Sequence, residues 1–350
     1  MKNIIGAKPS PAAAEVRFLT VDGESAGQRL DNFLFRQLKG VPKTHVYRII
    51  RSGEVRINKG RAQAETRLAE GDVLRLPPVR VSARAEEAGS PPAPGREFPL
   101  LYEDDALLAI DKPAGVAVHG GSGVSFGVIE QLRTARPEAR FLELVHRLDR
   151  ETSGILLVAK KRSALTALQD QFRERETGKT YLALVEGSWP ANRKVLDAPL
   201  AKYLLPGQAG SVEPGERRVR VVAKDHPDAM RAVTLVKVLA RVTLPADAAG
   251  FSLLAVTIKT GRTHQIRVHL ASGGHAIAGD DKYGDFERNR ALHKLGLKRM
   301  FLHAWRLQFT HPASGERMAL QADLPPELHA LLPQAALDAL ANHPSTASHP

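Results

Sequence analysis

The N-terminal part of the chain contains two apolar patterns with the period of an α-helix. The first spans 28–38, and its apolar positions fall on one helical face: Leu30, Phe33, Leu34 and Leu38. The second is predicted at 43–52, because Pro42 suits the first turn of a helix and Gly53 suits its end. Two short helices are therefore expected in succession.

Two short segments after these helices are typical of strands. Residues 54–57 alternate between polar and apolar side chains, and residues 72–76 do so again. Between them, Asn58, Lys59 and Gly60 are typical of a turn. The pattern predicts a small module of two helices and a pair of strands.

A second patterned region begins near residue 98 and has longer apolar runs. Strands are predicted at 107–110, 116–119, 155–159, 180–185 and 251–258. Helices are predicted at 126–132 and 163–176, with Gly178 as the C-terminal cap of the second. A further helix is predicted to begin with Thr263 as its N-cap and to end at Gly273.

The breaker-rich stretch at 77–95 separates these two regions and predicts a linker. Both ends of the chain are rich in small residues and proline, which favours flexible segments. We therefore divide the chain into an N-terminal arm at 1–15, a small domain at 16–80, a linker at 81–97, a large domain at 98–332 and a flexible tail at 333–350.

The charge of the chain indicates a polyanionic partner. The formal net charge is +12, and residues 16–76 hold twelve Lys or Arg against seven Asp or Glu. Cationic side chains that neutralise phosphates are the main sequence-independent source of nucleic-acid affinity. A merely solubilising surface is the alternative explanation of the same charge.

The composition also limits the chemistry and the compartment. The chain has no cysteine, which excludes disulfides, thiolate catalysis and Cys-ligated metals and fits a reducing cytoplasm. No apolar stretch approaches the ~20 residues needed to cross a bilayer, and no signal-peptide core is visible near the start. We expect a cytoplasmic protein with no membrane partner.

One carboxylate, that of Asp149, stands out because arginines flank it shortly before an apolar run. Residues 144–154 read Leu-Val-His-Arg-Leu-Asp-Arg-Glu-Thr-Ser-Gly and precede the strand at 155–159. Seen alone, Asp149 would most often be a structural carboxylate paired to Arg147 or Arg150. In an extended segment Glu151 would lie on the same side as Asp149, so the local spacing leaves a glycosidase-like carboxylate pair open.

Other motifs are weak. Gly178-Lys179-Thr180 lacks the preceding glycine of a phosphate-binding P-loop, since position 173 is arginine. His264 and His269 lack the spacing of a helical zinc pair. The glycines at 120–123 do not have the dinucleotide-binding spacing. Nucleoside triphosphate hydrolysis, metal catalysis and dinucleotide binding are therefore disfavoured.

The small domain resembles an S4 domain, the small αL-type module that binds RNA in ribosomal proteins and RNA-modifying enzymes. The resemblance lies in residues 27–31 and 46–58. It implies an RNA-binding surface of basic side chains: Arg29, Lys43, Arg48, Arg51, Arg56 and Lys59, with Arg61 beside them.

Three segments of the large domain together resemble one enzyme family. Residues 144–154, 179–183 and 260–269 are similar to the signature segments of the ribosomal large-subunit pseudouridine synthases of the RluA/RluC/RluD type. With the S4 domain in front, and with the segments 279–285 and 301–304 behind, the resemblance is closest to the RluC branch.

The resemblance implies the isomerisation of uridine in RNA to its C5 glycoside, without cofactor or metal. It assigns the catalytic carboxylate to Asp149, the active-site aromatic to Tyr181 and the basic partner of the carboxylate to Arg267. Arg147 and Arg262 are expected to contact RNA. A carboxylate could act as a nucleophile at C1′ or as a base at C2′, and the sequence leaves both routes open.

The resemblance also implies an α+β fold, in which the S4 domain precedes a catalytic domain built on a mixed, largely antiparallel sheet. The expected substrate is 23S ribosomal RNA or a large-subunit assembly intermediate, with several uridines modified by a monomeric enzyme. The alternative from another class is a catalytically silent RNA-binding protein of ribosome assembly.

Overall fold

The computed structural model describes residues 15–23, 25–38, 41–79, 93–120, 126–205, 217–244 and 247–343. It divides into two compact units, Met1–Pro92 and Ala93–Pro350. This boundary falls inside the predicted linker, most of which lies outside the described residues, as does the predicted N-terminal arm up to residue 14. The two units are described separately below.

The small unit contains the two predicted helices and a four-stranded antiparallel sheet. The helices are α1 (Leu30–Gln37) and α2 (Lys43–Arg51). The strands are β1 (Arg17–Thr20), β2 (Arg56–Ile57), β3 (Gly60–Arg61) and β4 (Val73–Leu76), in the order β1-β4-β2-β3. Asn58 and Lys59 adopt left-handed backbone angles in the predicted turn. The apolar face of α1 is buried against Ile49, Ile50 and Leu74.

The large unit is built on a ten-stranded mixed sheet, as predicted. Its strands are β5 (Leu100–Glu103), β6 (Leu107–Lys112), β7 (Glu143–Leu144), β8 (Ser153–Ala159), β9 (Gly178–Glu186), β10 (Val195–Asp197), β13 (Val233–Leu244), β14 (Asp247–Ile258), β15 (Leu302–Thr310) and β16 (Arg317–Gln321). The main order is β10-β13-β14-β9-β15-β8-β6-β5, with β16 on β15 and β7 on β8. A separate hairpin pairs β11 (Leu200–Leu204) with β12 (Arg217–Val221). Every described pairing is antiparallel except that of β8 with β15.

Helices cover both faces of this sheet. They are α3 (Val128–Ala135), α4 (Arg162–Glu174), α5 (Gln265–Ser272), α6 (Phe286–Lys294), α7 (Pro326–His329) and α8 (Gln334–Ala341). Strand β8 is buried at every position, which explains its uninterrupted apolar run. None of the helices in the described ranges is long and apolar enough to cross a membrane.

Three local predictions were wrong. Residues 116–119 form no strand, because the carbonyls of Ala117 and Val118 accept hydrogen bonds from the first turn of α3. The helix α4 ends with Arg175 in a left-handed conformation, and Gly178 is already the first residue of β9. Thr263 does not cap α5, whose N-cap is His264.

The predicted flexible tail is also wrong for the residues that the structure describes. Residues 334–341 form α8, in which Ala336 is fully buried and Leu337 packs on the main core cluster. The alanine-rich composition had suggested a flexible segment, but small side chains also allow a helix to approach the core closely. Residues 344–350 lie outside the described part of the chain.

Gly154 makes the parallel contact between β8 and β15 possible. It has a φ of +106°, and a Cβ atom placed on it would lie 2.3 Å from the carbonyl oxygen of Ala304. A side chain at this position would therefore force apart two central strands, one of which follows the segment that carries Asp149.

We predict that Gly154→Ala destabilises the large unit by at least about 2 kcal/mol more than Gly274→Ala. Gly274 also has a positive φ, of +82°, but a Cβ atom placed on it would have no atom within 4 Å. The variant Gly274→Ala therefore measures backbone strain alone. Urea unfolding followed by tryptophan fluorescence reports on this unit, because both tryptophans, Trp189 and Trp305, belong to it. Equal losses of stability in the two variants would contradict the packing argument.

Candidate active site

The three residues expected to be catalytic meet in one small pocket of the large unit. Asp149, Tyr181 and Arg267 all line it, and its volume is about 120 Å³. The remaining lining residues are Arg147, Leu148, Thr152, Ile258, Gly261, Arg262, Thr263, His264, Gln265, Ile266 and Leu302. Residues from three distant parts of the sequence therefore form a single site, with cationic side chains around one carboxylate.

Lys112 anchors the backbone of the segment that carries Asp149. This side chain is fully buried, and its Nζ donates to the carbonyl oxygens of Pro113, Val116 and Arg150 at 2.8, 2.8 and 3.1 Å. Burial lowers the pKa of Lys112 to about 7. Because Arg150 directly follows Asp149, the ammonium fixes the backbone beside the carboxylate.

A second anchor comes from Arg299. Its Nη2 donates to Ser153 Oγ at 2.8 Å and to the carbonyl of Glu151 at 3.5 Å. Ser153 Oγ lies 2.9 Å from His303 Nδ1, and His303 Nε2 lies 3.0 Å from the carbonyl oxygen of Ala322. Since a carbonyl can only accept, His303 carries its proton on Nε2 and accepts from Ser153 through Nδ1.

His146 orders the same segment through a ring nitrogen. Its Nε2 accepts a hydrogen bond from the backbone N–H of Leu157 in β8 at 3.1 Å, and its ring stacks on Phe172. Burial lowers the pKa of His146 to about 3, so the ring is neutral and can keep accepting at neutral pH.

Arg267 is held in place by a buried carboxylate, Asp280. Arg267 Nε donates to Asp280 Oδ2 and Nη2 donates to Oδ1, both at 2.7 Å, and the two side chains are 6% and 1% exposed. Asp280 Oδ1 also accepts the backbone N–H groups of Lys282 and Tyr283. This fork is the strong bidentate geometry of an arginine and a carboxylate.

The third nitrogen of the same guanidinium faces Asp149. Arg267 Nη1 lies 3.5 Å from Asp149 Oδ2. Burial alone would lower the pKa of Arg267, but the hydrogen bonds and negative charge of Asp280, with the charge of Asp149, raise it above its ordinary value. Arg267 is therefore a permanent cation beside the Asp149 carboxylate.

Tyr181 lies on β9 between Val256 of β14 and Ala304 of β15. Burial raises the pKa of its hydroxyl, and the negative charge of Asp149 adds to the effect. The phenol is therefore neutral in the pocket. It offers an aromatic ring and a proton, but not a phenolate base.

A tight turn before α5 brings His264 into the pocket. Gln265 Oε1 accepts from Thr260 Oγ1 at 2.7 Å and from the backbone N–H of Arg262 at 3.1 Å, which closes the turn. His264 Nε2 then lies 3.8 Å from Asp149 Oδ2. The sequence pattern weighed His264 only as a metal ligand and did not predict that it would face the carboxylate.

The neighbouring charges of Asp149 do not pair with it. Arg150 binds Glu151 at 2.8 Å, whereas the described ion pair of Asp149 goes to Arg267, and His264 Nε2 lies 3.8 Å from it. Glu151 does not line the pocket and faces a different cleft. Among the residues that the structure describes, Asp149 is the only carboxylate of the pocket, which argues against the glycosidase-like pair.

The two arginines expected to bind RNA lie at the mouth of the pocket. Arg147 and Arg262 are both exposed and both line it. Arg262 Nε also donates to the carbonyl of Arg231 at 3.2 Å, which limits the positions that its side chain can take. Their positions suit contacts with a substrate that enters from the surface, and their role in RNA binding stays a prediction.

The basic residues of the small unit fall into two groups. Arg29 is bound to the buried carboxylate of Asp31 at 2.7 Å, and Arg48 lies 3.4 Å from Glu54. No ion pair is described for the remaining predicted residues, Lys43, Arg51, Arg56 and Lys59. The second group is therefore better suited to bind a polyanion than the first.

Sequence reasoning also missed the residues that surround Arg267. Asp280 and Tyr283 belong to a segment that the family resemblance included, but no role was predicted for either. The sequence offered one signal for Asp280, because an arginine that is buried, such as Arg267, requires a carboxylate partner. In the described ranges no cluster of three or more His, Asp or Glu is arranged to hold a metal, and independence from metals and cofactors stays a prediction.

Comparison with known proteins identifies both units. The family model described as RNA pseudouridylate synthase matches residues 106–272, and that of the S4 domain matches residues 28–74. The ribosomal large subunit pseudouridine synthase C of Pasteurella multocida is 49% identical over 91% of this chain and 93% of its own length. The protein of the same name from Escherichia coli K12 is 52% identical over 88% of this chain and 93% of its own length.

Solved structures with the same fold agree with these matches. Human RNA pseudouridylate synthase domain containing 4 is 28% identical, with a TM-score of 0.52 over 69% of this chain and 93% of that chain. Human RNA pseudouridylate synthase domain containing 1 is 26% identical, with a TM-score of 0.53 over 72% of this chain and 98% of that chain.

We predict that Asp280→Ala destabilises the large unit by about 3 to 5 kcal/mol, because it leaves the Arg267 guanidinium buried without its bidentate partner. Asp280→Asn keeps the shape and one acceptor oxygen, so its destabilisation should be smaller. Urea unfolding followed by tryptophan fluorescence measures both. A destabilisation below about 1 kcal/mol for Asp280→Ala would mean that Arg267 does not depend on this pair.

Proposed function

This chain belongs to the RNA pseudouridylate synthase family, and we propose that it converts uridines of 23S ribosomal RNA to pseudouridine with Asp149 as its essential carboxylate. The observation that carries the proposal is the meeting of Asp149, Tyr181 and Arg267 in one pocket. The names of the most similar relatives support ribosomal RNA of the large subunit as the substrate.

The isomerisation breaks the C1′–N1 bond of uridine and forms a C1′–C5 bond, after which C5 loses its proton and N1 carries one. No atom is gained or lost. Asp149 acts at the sugar, either by attacking C1′ or by removing the proton from C2′. Both routes require an ionised carboxylate in a site largely closed to water, and Arg267 supplies a positive charge 3.5 Å from Asp149.

The pocket suits a nucleotide that has left its base stack. Asp149 lies in a small concave pocket, and enzymes that act on a base take it out of its stack, so the target uridine flips out to reach Asp149 in the proposed reaction. Tyr181 supplies a neutral ring on which uracil can stack, and its hydroxyl can pass a proton near C5. Arg147 and Arg262 hold the flanking phosphates or occupy the gap that the flipped base leaves.

The S4 domain supplies the general affinity for RNA. Lys43, Arg51, Arg56 and Lys59 neutralise phosphates without reading sequence. The substrate is free 23S rRNA or a large-subunit assembly intermediate, several uridines are modified, and the enzyme acts as a cytoplasmic monomer without cofactor or metal. A catalytically silent assembly protein would need no carboxylate with a cation at 3.5 Å in a pocket of this kind.

We predict that Asp149→Asn abolishes pseudouridine formation while leaving the fold intact, because the amide is isosteric but carries no charge. Carbodiimide mapping of pseudouridine in 23S rRNA, from cells that lack the native protein and express either form, measures the effect. Wild-type modification by the Asn variant would contradict the mechanism. If cells without the protein lose no pseudouridine, the silent assembly protein becomes the better explanation.

We also predict that replacing Lys43 and Lys59 with alanine weakens RNA binding. The slope of log affinity against log salt should become shallower by roughly 0.7 to 0.9 for each phosphate that the variant no longer neutralises. Fluorescence anisotropy with a 23S rRNA fragment, repeated over a range of salt, measures both quantities. The matched control replaces Arg173 and Arg290, two exposed cations of the large unit that already pair with Asp170 and Glu287. The same slope in both double variants would contradict the assignment of the S4 surface.

A further inference from the structure

His264 has an unusual backbone for its position. It is the N-cap of α5 and adopts left-handed angles, with φ of +52° and ψ of +21°. Such angles cost a residue with a side chain about 1 kcal/mol or more, and residues of this kind concentrate at functional sites. Here the strained turn places the imidazole in the wall of the pocket, where its side chain is 15% exposed.

The contacts of His264 determine which ring nitrogen carries the proton. Its Nδ1 lies 2.8 Å from Tyr283 Oη, and the same Oη accepts the backbone N–H of Val219 at 3.1 Å. Burial raises the pKa of Tyr283, so its hydroxyl keeps its one proton. Because His264 Nδ1 is the acceptor that the structure describes for that hydroxyl, we assign the Tyr283 proton to this contact, and the neutral imidazole then carries its own proton on Nε2.

Burial favours the neutral form of His264. Burial lowers its pKa, Arg267 and Lys282 act in the same direction, and Asp149 and Asp280 act in the opposite one. The structure describes no hydrogen bond to His264 Nε2, and Asp149 Oδ2, at 3.8 Å, is too far away for one. The Nε2–H group is therefore a fixed donor in the pocket, next to the carboxylate, and it is available to a substrate.

The proposed function identifies that partner. Asp149 acts at C1′ or at C2′ of the flipped uridine, and both carbons lie within two bonds of the 2′-oxygen. A sugar placed against Asp149 therefore brings its 2′-hydroxyl close to a donor located 3.8 Å from the same carboxylate. The hydroxyl oxygen can accept from Nε2–H, which is the kind of contact by which a site recognises ribose.

We propose that His264 Nε2–H binds the 2′-hydroxyl of the target uridine and holds its sugar against Asp149, and that Tyr283 is a positioning residue that maintains the required tautomer. This proposal rests on the proposed function. It makes His264 a substrate-binding residue, and it explains why the turn before α5 adopts strained backbone angles. The ring of Tyr283 also lies over the Arg267 guanidinium, at 5.0 Å, which ties this contact to the rest of the site.

The test combines enzyme variants with a change in the substrate. A 23S rRNA fragment that the wild type modifies is prepared with C5-tritiated uridine or 2′-deoxyuridine at the target position, and tritium release under single-turnover conditions gives the rate for each. The rate of the wild type should fall roughly 5- to 100-fold on removal of the hydroxyl, the range for one hydrogen bond. The rate of His264→Asn on uridine should fall about as much, and this variant should then discriminate little between the two RNAs.

Two further variants separate the donor from the backbone. Asparagine tolerates left-handed angles better than glutamine, but only the longer glutamine carries an amide N–H to the position of Nε2. His264→Gln should therefore retain more discrimination than His264→Asn, whereas a purely structural role would reverse that order. Tyr283→Phe should decrease the discrimination to an intermediate degree. The phenylalanine keeps the ring, but it no longer fixes which nitrogen of His264 carries the proton. Changes of sugar pucker in the deoxy substrate affect every variant equally and cancel in the comparison.

The control is His275→Gln. His275 is half-buried, its Nδ1 contacts the carbonyl of Glu186 at 2.8 Å, and it does not line the pocket, so its variant should discriminate as the wild type does. Wild-type discrimination by His264→Asn, or an order in which Asn exceeds Gln, would overturn the ribose contact. Wild-type behaviour of Tyr283→Phe would overturn the role of Tyr283. If the wild type releases no tritium from RNA, the proposed function fails first, and the ribose contact fails with it.

Discussion

The buried ion pair between Arg267 and Asp280 is the constraint on which the rest of the site depends. Removing two such groups from water costs several kcal/mol for each ion, and their attraction offsets that cost only with good geometry and further hydrogen bonds. Asp280 meets both conditions, because it binds two guanidinium nitrogens and two backbone N–H groups. The same carboxylate thus fixes the cation that faces Asp149 and the loop that carries Tyr283. A site held in this way needs little rearrangement when charge develops on the substrate.

The opposite wall of the pocket is fixed by independent means. The segment that carries Asp149 leaves β7 and enters β8, and between them its carbonyls are bound by Lys112 and Arg299. Gly154 then allows β8 to lie directly against β15. Two walls built from distant parts of the sequence therefore face each other at a separation set by the sheet. The 3.5 Å between Arg267 and Asp149 results from packing on both sides, and not from attraction between two free side chains.

The sequence predicted the residues of the site better than the contacts that hold them. Asp149, Tyr181 and Arg267 stand in segments long enough to identify from sequence alone, and the sheet and the S4 domain followed from the same resemblance. The partnership of Arg267 with Asp280 joins a helix to a later loop, and no local pattern encodes it. The segment 116–119 is apolar like a strand, but its carbonyls are bound by Lys112 and by the first turn of α3, and no local pattern reveals these partners. In the same way, α8 is stabilised by the burial of Ala336, which its composition alone does not reveal.

Net charge predicts the class of partner but not the site of chemistry. Arg267, the arginine that faces Asp149, is already bound to Asp280, and it is too buried to attract a phosphate from solution. Exposed cations such as Lys43 and Lys59 can attract phosphates. In the described structure, however, no carboxylate pairs with them that could act as a catalytic group. In the proposed function, attraction of RNA and stabilisation of the Asp149 carboxylate are therefore carried by different cations, which face opposite demands. The exposed cations lie in water, where salt screens their charge, whereas Arg267 is buried and is screened much less.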